Sequence, residues 1–175
     1  QSMKKRLPWL VILLFLGVLV SSVVGMFESV VAVLPIVICF QSLVLDMAGN
    51  VGTQSLAVTI RVLMDESLTG KQKLQLVFKE MRIGFCNGLL LGVLSFAVIG
   101  LFIFLFKGKT MMFAFSVSAC IGIALLLAML ISSAVGTCIP LFFKKIHIDP
   151  AVASGPLITT VNDLVAVVTF YGLSW

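Results

Sequence analysis

The sequence predicts an all-α, polytopic membrane protein, and three features indicate this fold class: the composition, the long apolar stretches, and the placement of the basic residues. Of the 175 residues, 61% are hydrophobic and 11% are charged. Soluble domains average roughly 45–50% apolar and 25% charged residues. A single water-facing domain of this length could not bury so much apolar surface. Lipid must therefore cover much of the chain.

Five stretches are long and apolar enough to cross a bilayer as helices, which requires about 20 residues each. Each stretch holds at most one charged residue. They are Leu7–Phe27, Ser29–Ile60, Ile83–Phe106, Thr110–Phe143 and Pro150–Trp175. Because helices extend beyond their apolar parts, we predict helices over 7–27, 29–60, 75–106, 110–146 and 150–175, within one domain that covers residues 1–175.

The basic residues indicate an orientation for these helices. If each stretch crosses once with the N-terminus inside, only Lys107 and Lys109 of the twelve Lys and Arg residues lie outside. The positive-inside rule favours this arrangement. A hairpin within Ser29–Ile60 would instead place the basic residues from Arg61 to Arg82 outside. We therefore expect a cytoplasmic N-terminus and an external C-terminus.

Several functional classes fit the sequence poorly. The net charge is +5, but the basic residues are spread between apolar stretches, so we expect no nucleic-acid partner. The four cysteines lie inside apolar stretches without C-x-x-C spacing, which argues against a disulfide framework or a zinc site. The sequence contains no recognisable Ser/His/Asp, Cys/His or metal-hydrolase constellation, so we do not expect an enzyme.

Asp163 lies near the middle of the last apolar stretch, twelve residues from both Ala151 and Trp175. An ionised carboxylate at the bilayer centre costs roughly 2.5–3.5 kcal/mol even on lenient insertion scales. The apolar core of every stretch lacks basic residues, so a structural salt bridge within the membrane is excluded. Two interpretations remain for Asp163: a place on an ion pathway, or a protonated and hydrogen-bonded structural role.

Oxygen-bearing groups accompany Asp163 on the same helix. Thr159 precedes it by four residues and shares its helical face, and Asn162 directly precedes it. Pro156 removes a backbone hydrogen bond and so frees a carbonyl oxygen in the preceding turn. Gly155 permits the close approach of a backbone or a hydrated ion. These residues are candidate cation ligands.

The second apolar stretch has a polar middle. Asp46, Gly49, Asn50 and Thr53 follow the i, i+3, i+4, i+7 spacing of one helical face. This face could line a pore. Small residues at this position also suit close helix packing with interhelical hydrogen bonds. The two interpretations are compatible within one helix.

The available ligands narrow the choice of ion. Carboxylates, carbonyls, hydroxyls and water suit hard cations such as Mg²⁺, Ca²⁺ or Mn²⁺, whereas zinc and copper prefer His or Cys clusters. The single histidine, His147, is expected at the membrane interface. Asp149 precedes Pro150 and is suited to cap the last helix; the alternative is a cation contact at the cytoplasmic mouth.

Two motifs resemble the transmembrane domain of the MgtE magnesium channels. They are Ala48–Ser55, which is followed by Arg61, and Asp149–Thr160, which is followed by Asp163. The resemblance implies a homodimer with five helices per subunit, in which the second and fifth helices line a central pore.

The resemblance also assigns roles to individual positions. The family's pore aspartate falls on Asp163, which would hold hydrated Mg²⁺ together with its copy in the second subunit. Carbonyl and polar groups at Gly49, Thr53, Gly155 and Thr159 would line the same path.

Two departures from the family accompany the resemblance. MgtE proteins usually carry cytosolic N-terminal and CBS domains, and we expect no cytosolic sensor domain within this sequence. Asp46 stands where the family often has a small residue such as glycine. An added carboxylate in each subunit would create another cation site or alter selectivity.

We therefore predict a multi-pass plasma-membrane channel that conducts Mg²⁺ down its electrochemical gradient, with Mn²⁺, Co²⁺ and Ca²⁺ as further candidate ions. The alternative is a proton- or Na⁺-coupled exchanger in which Asp163 and Asp46 alternate between the coupling ion and the divalent cation. In a third interpretation, the protein is a membrane scaffold that transports nothing, and Asp163 and the segment Gly49–Gln54 matter for folding alone.

Overall fold

The computed structural model describes residues 2–27, 35–65 and 68–174, and the side chains of all of these except 2–6, 9, 37, 65, 151–154 and 174. Within these ranges the α-helix is the only regular secondary structure, and short turns join the helices. The helices are α1 (Ser2–Met26), α2 (Pro35–Asp65), α3 (Gly70–Phe106), α4 (Met111–Lys145) and α5 (Pro150–Ser174). The predicted all-α fold with five helices is confirmed.

Three segments of these helices are long and apolar enough to cross a membrane: Gly70–Phe106 in α3, Met111–Lys145 in α4, and Gly155–Leu173 in α5. In α1, a shorter apolar segment covers Leu10–Met26. In α2, the polar residues between Asp46 and Gln54 reduce the hydropathy of an otherwise apolar helix. The three long apolar helices fit a multi-pass membrane protein.

In the structure, α3 begins at Gly70, five residues before the predicted start at residue 75. Thr69 and Gln72 form a capping box: the Thr69 hydroxyl accepts a hydrogen bond from the Gln72 backbone at 3.5 Å, and the Gln72 side chain accepts one from the Thr69 backbone at 2.8 Å. This reciprocal pair satisfies two backbone donors that would otherwise lack partners. The prediction followed hydropathy and so missed a start signal that lies in a polar segment.

The end of α2 also differs from the prediction, because the helix continues past Ile60 to Asp65. A fall in hydropathy does not by itself end a helix. The Lys144 ammonium donates a hydrogen bond to the Leu63 carbonyl at 2.6 Å, which satisfies one carbonyl of the last turn and places a positive charge at the negative end of the helix dipole. The predicted start of this helix, at 29–34, lies outside the described residues.

The other predicted boundaries agree closely at α4 and α5, whereas α1 begins at Ser2, before its apolar stretch. The centre of the bundle is α4, which packs against α2, α3 and α5, while α5 also contacts α1 and α2. The buried core draws on α2 to α5 and includes Val44, Ala48, Ile99, Ile103, Ile121, Ala124, Leu125, Ala128, Ala166, Val167, Phe170 and Tyr171. α2 contacts mainly α4 and α5, and it touches α3 only slightly.

Buried glycines bring α3 and α4 into close contact. Gly84, Gly88 and Gly92 recur every four residues on the side of α3 that faces α4. A methyl group at Gly92 would lie 2.8 Å from the Gly122 carbonyl oxygen, so this position requires the absence of a side chain. Small residues that let backbones touch are typical of helix pairs in membranes.

The turn between α4 and α5 depends on an unusual backbone conformation at His147, whose φ is 60°. The His147 backbone donates to the Lys144 carbonyl at 3.3 Å, and the Ile148 backbone donates to the Phe143 carbonyl at 2.9 Å. These two bonds form a Schellman motif, in which the left-handed position usually carries glycine. His147 is exposed and ends α4, so the structure gives it a role in the turn.

Candidate cation pathway

One row of oxygen-bearing residues lies along α5. Gly155, Thr159 and Asp163 follow one another at intervals of four, so they share one side of the helix, and all three are at least partly exposed. The Thr159 hydroxyl donates to the Pro156 carbonyl at 2.8 Å. Among the described residues, Asp163 has neither a hydrogen-bond partner nor an ion-pair partner. Its carboxylate is therefore available to a ligand.

A second row lies along α2. Asp46, Asn50 and Thr53 are exposed, and Gly49 beside them is partly exposed. The Asn50 side-chain amide donates to the Asp46 carboxylate at 3.3 Å, and the Thr53 hydroxyl donates to the Asn50 carbonyl at 2.9 Å. The predicted polar face of α2 is thus present as a hydrogen-bonded set of groups on the surface of the chain.

The packing of α2 on α5 determines how the two rows align along the bundle axis. We call Asp46, Gly49, Asn50 and Thr53 the α2 row, and Gly155, Thr159 and Asp163 the α5 row. The Asn162 amide nitrogen donates to the Ala48 carbonyl at 3.4 Å, and Asn162 also lies against Gly52. Asp163, the next residue on α5, is therefore level with the segment Ala48–Gly52. Asp46 of the α2 row lies two residues before this segment on α2.

The structure separates Asn162 from the exposed α5 row. Its side chain is 0% exposed and packs between α5 and α2, whereas Thr159 and Asp163 lie toward the surface. Successive residues of an α-helix are rotated by about 100°, so adjacency in sequence places two side chains on different faces. Asn162 thus holds the helix pair together at the height of the candidate site, rather than extending the row.

The other side of α2 provides the close packing that its small residues suggest. Gly52 is buried, and its backbone touches Gly136 of α4. Gly49, by contrast, has open space where a side chain would be. The two interpretations of the polar middle of α2 therefore apply to different sides of the helix: Gly52 serves packing, and the α2 row is exposed.

Within the described residues, His, Cys, Asp and Glu form no group of three or more that could hold a metal ion. None of the four cysteines, all of which lie among the described residues, forms a disulfide bond, and Cys39, Cys86 and Cys138 are exposed. The described residues therefore offer hydroxyl, carbonyl and isolated carboxylate oxygens to a cation. This ligand set suits a hard, partly hydrated ion more than zinc or copper.

Asp149 lies in a different place, at the end of the bundle where α2 ends and α5 begins. It borders a cavity of about 300 Å³ that is also lined by Ile60, Leu63, Met64, Lys144 and Pro150. Pro150 is the first residue of α5, as predicted. The exposed position of Asp149 leaves both of its predicted roles open.

A functional candidate that the sequence interpretation missed is Glu80 of α3, which is 4% exposed and accepts a hydrogen bond from Ser55 of α2 at 3.0 Å. It precedes the apolar stretch Ile83–Phe106, so hydropathy groups it with the polar segment before that stretch. A signal was present, since Glu80, Gly84, Gly88 and Gly92 share one spacing of four. Glu80 extends the face of α3 that packs against its neighbours.

The family model MgtE, described as a divalent cation transporter, matches residues 41–173. The magnesium transporter MgtE of Bacillus subtilis is 35% identical over 97% of this chain, and that of Enterococcus faecalis is 35% identical over 99%. The magnesium transporter MgtE of Thermus thermophilus is 29% identical over 97% of this chain.

The matched regions cover 36%, 36% and 35% of these three relatives, so the chain spans about a third of their length. The family model includes both the α2 row and the α5 row. Together with the three apolar helices, the match identifies a multi-pass membrane protein. The chain belongs to the MgtE family of divalent cation transporters.

Proposed function

We propose that this chain forms the ion-conducting part of a Mg²⁺ channel, with Asp163 at the cation site. The observation that carries the proposal is the exposure of the α2 row and the α5 row on the surface of a membrane protein. Two carboxylates, Asp46 and Asp163, lie on these rows. A carboxylate in contact with lipid is unfavourable by several kcal/mol, so water, a cation or protein must cover them.

A second copy of the chain would provide that cover. In a homodimer, two α2 rows and two α5 rows would face a shared aqueous path, and two Asp163 side chains would face one ion. In this arrangement all five helices cross the bilayer, with the N-terminus in the cytoplasm and the C-terminus outside. The close packing of α2 on α4 and α5 supports a spanning position for α2 despite its polar middle.

The ligand chemistry supports Mg²⁺ as the transported ion. Mg²⁺ gives up its water shell reluctantly and often binds through one or two carboxylates together with retained water. The paired Asp163 carboxylates, with Thr159 and the exposed backbone near Gly155 and Gly49, would hold such a hydrated ion. Mn²⁺, Co²⁺ and Ca²⁺ are the competing ions to be tested. The relatives named magnesium transporters agree with this choice.

Transport of this kind requires no coupled energy source. A divalent cation that crosses a potential of 100 mV gains about 4.6 kcal/mol, which is twice the value for a single charge. The two remaining candidate residues would modulate the path: Asp46 as an additional cation contact, and Asp149 as a contact at the cytoplasmic mouth. Asn162 would act through the placement of α5 on α2.

The test is Mg²⁺ uptake by the full chain reconstituted in liposomes under an imposed membrane potential, with Asp163→Asn as the central variant. Thr169→Val is a matched control on the same helix, because among the described residues the Thr169 hydroxyl bonds to carbonyls of its own helix, at Val165 and Ala166. We expect Asp163→Asn to lose uptake and Thr169→Val to retain it.

Three other outcomes decide against the proposal in different ways. Undiminished uptake by Asp163→Asn would remove Asp163 from the pathway. Uptake that requires a proton or Na⁺ gradient would indicate the coupled exchanger. An intact protein that neither binds nor transports divalent cations would indicate a scaffold. Chemical cross-linking in the membrane tests the dimer separately.

A further inference from the structure

Glu80 is a buried carboxylate that the proposed pathway does not use. It is 4% exposed, and Ser55, which donates to it at 3.0 Å, is 3% exposed. The two residues lie on different helices, α3 and α2. A hydrogen bond to a carboxylate is stronger than one between neutral groups, and burial strengthens it further. The pair therefore forms a strong connection between these helices.

This connection is important because α2 and α3 otherwise touch very little. Both helices pack mainly on α4, and the direct contact between them is slight. At Gly52, the backbone of α2 contacts α4 and α5 directly, because glycine has no side chain. A smooth backbone contact restrains rotation about the helix axis less than interlocking side chains do. The Ser55–Glu80 hydrogen bond supplies a directional restraint.

The position of Ser55 relates this restraint to the α2 row. Ser55 follows Asp46 by nine residues, and nine steps of about 100° place it about 180° around the helix. The hydrogen bond therefore holds the back of α2 while the α2 row faces the surface. A rotation of about 20° would shift side-chain atoms at the helix periphery by about 2 Å, which is enough to misplace a cation ligand.

We propose that Glu80 is a positioning residue for ion conduction, which fixes the rotation of α2 through Ser55 and so aims Asp46, Asn50 and Thr53 at the pore. The proposal rests on the proposed function. Glu80 does not touch the ion in this arrangement. Its effect passes through α2 to the groups that do.

The experiment measures Mg²⁺ uptake per amount of folded protein, together with the Mg²⁺ concentration that gives half-maximal uptake and the ratio of Mg²⁺ to Ca²⁺ uptake. The variants are Ser55→Ala, Glu80→Leu, their combination, and Glu80→Gln, which keeps an acceptor oxygen for Ser55. Thr59→Val is the matched control on the same side of α2, because the Thr59 hydroxyl bonds to the Ser55 carbonyl within its own helix.

We expect Ser55→Ala and Glu80→Leu each to change the half-maximal concentration by about two- to thirtyfold, the usual range for residues that act through a connecting network. The combined variant should change it no further, and the uptake ratio should shift in parallel. Glu80→Gln should retain the wild-type half-maximal concentration and uptake ratio to within about twofold. Thr59→Val should leave both quantities unchanged.

Several results would overturn the positioning role while leaving the proposed function intact. One is a loss of folded protein with an unchanged half-maximal concentration and an unchanged uptake ratio. Another is additivity of Ser55→Ala and Glu80→Leu, both in transport and in thermal unfolding. Absence of Mg²⁺ uptake by the wild-type chain would instead overturn the proposed function, so the two failures are distinguishable.

Discussion

Gly52 of α2 lies directly against the side chain of Asn162 of α5. A methyl group at position 52 would overlap the Asn162 amide and lie 3.3 Å from the Ile158 side chain. On the same helix, no described residue outside the nearby backbone of α2 lies within 4 Å of the place that a methyl group at Gly49 would occupy. Two glycines three residues apart therefore have opposite requirements, because one faces a helix contact and the other faces the surface.

Gly52→Ala should destabilise the bundle, whereas Gly49→Ala should not. The added methyl at position 52 forces α2 and α5 apart, and overpacking of this kind costs about 1–3 kcal/mol. At position 49 the methyl group enters open space and alanine favours the helix. Thermal unfolding in detergent measures both variants. Equal effects on the unfolding temperature would contradict the assignment of the two glycines to different sides of α2.

Asn162→Leu and Asp163→Asn should impair different properties although the residues are neighbours: the first should lower stability, and the second should lower transport. Loss of the buried Asn162 hydrogen bond, together with a larger apolar side chain beside Gly52, should lower the free energy of unfolding by about 1–3 kcal/mol. Asp163→Asn should leave the unfolding temperature unchanged, because Asp163 has no partner among the described residues.

The same pair should show the reverse order in transport by the folded fraction. We expect Asp163→Asn to lower Mg²⁺ uptake by about tenfold or more, which corresponds to a loss of about 1.4 kcal/mol of ion stabilisation. Uptake by folded Asn162→Leu protein should fall less. If Asp163→Asn unfolds at a lower temperature and Asn162→Leu does not, the structural roles given to these residues are wrong.

Lys144→Met should loosen the last turn of α2. The Lys144 ammonium donates to the Leu63 carbonyl at 2.6 Å. The substitution leaves that carbonyl without this donor and removes a favourable positive charge from the end of the helix. We expect amides near Leu63 to exchange with solvent about fivefold faster, for a local loss of about 1 kcal/mol. Lys145→Met is the matched control, since this neighbouring lysine has no such partner among the described residues. Hydrogen–deuterium exchange read by mass spectrometry distinguishes the two variants.

His147→Gly should stabilise the turn between α4 and α5. His147 has a φ of 60°, a conformation in which a side chain adds strain and glycine does not. After allowance for the greater freedom of glycine in the unfolded chain, we expect a gain of about 0.5 kcal/mol. His147→Ala keeps the strain and should bring no gain, so any increase in unfolding temperature with alanine would argue against this explanation.

The local patterns in the sequence were sufficient for the five helices and the α5 row. Composition and apolar length predict the helices because backbone groups in lipid must be satisfied within each segment. The spacing of four between Gly155, Thr159 and Asp163 places them on one face regardless of what surrounds the helix. The capping box of Thr69 and Gln72 is also a local pattern, but it lies in a polar segment where hydropathy does not mark the start of a helix.

Residues whose roles depend on contact between distant segments could not be assigned in the same way. Asn162 is next to Asp163 in the sequence, and only the packing of α5 on α2 shows that its side chain faces inward. Ser55 and Glu80 are 25 residues apart, and their hydrogen bond exists because α2 and α3 both pack on α4. No local spacing specifies such a pairing.

The residues alone therefore indicate a membrane protein of this family with a carboxylate at mid-depth, because helix formation and membrane burial depend on composition and short-range spacing. The tertiary structure decides which side of each helix is exposed, which glycine is a contact, and which buried carboxylate restrains α2. These properties depend on the relative rotation and height of whole helices, which arise from the fit of many side chains together.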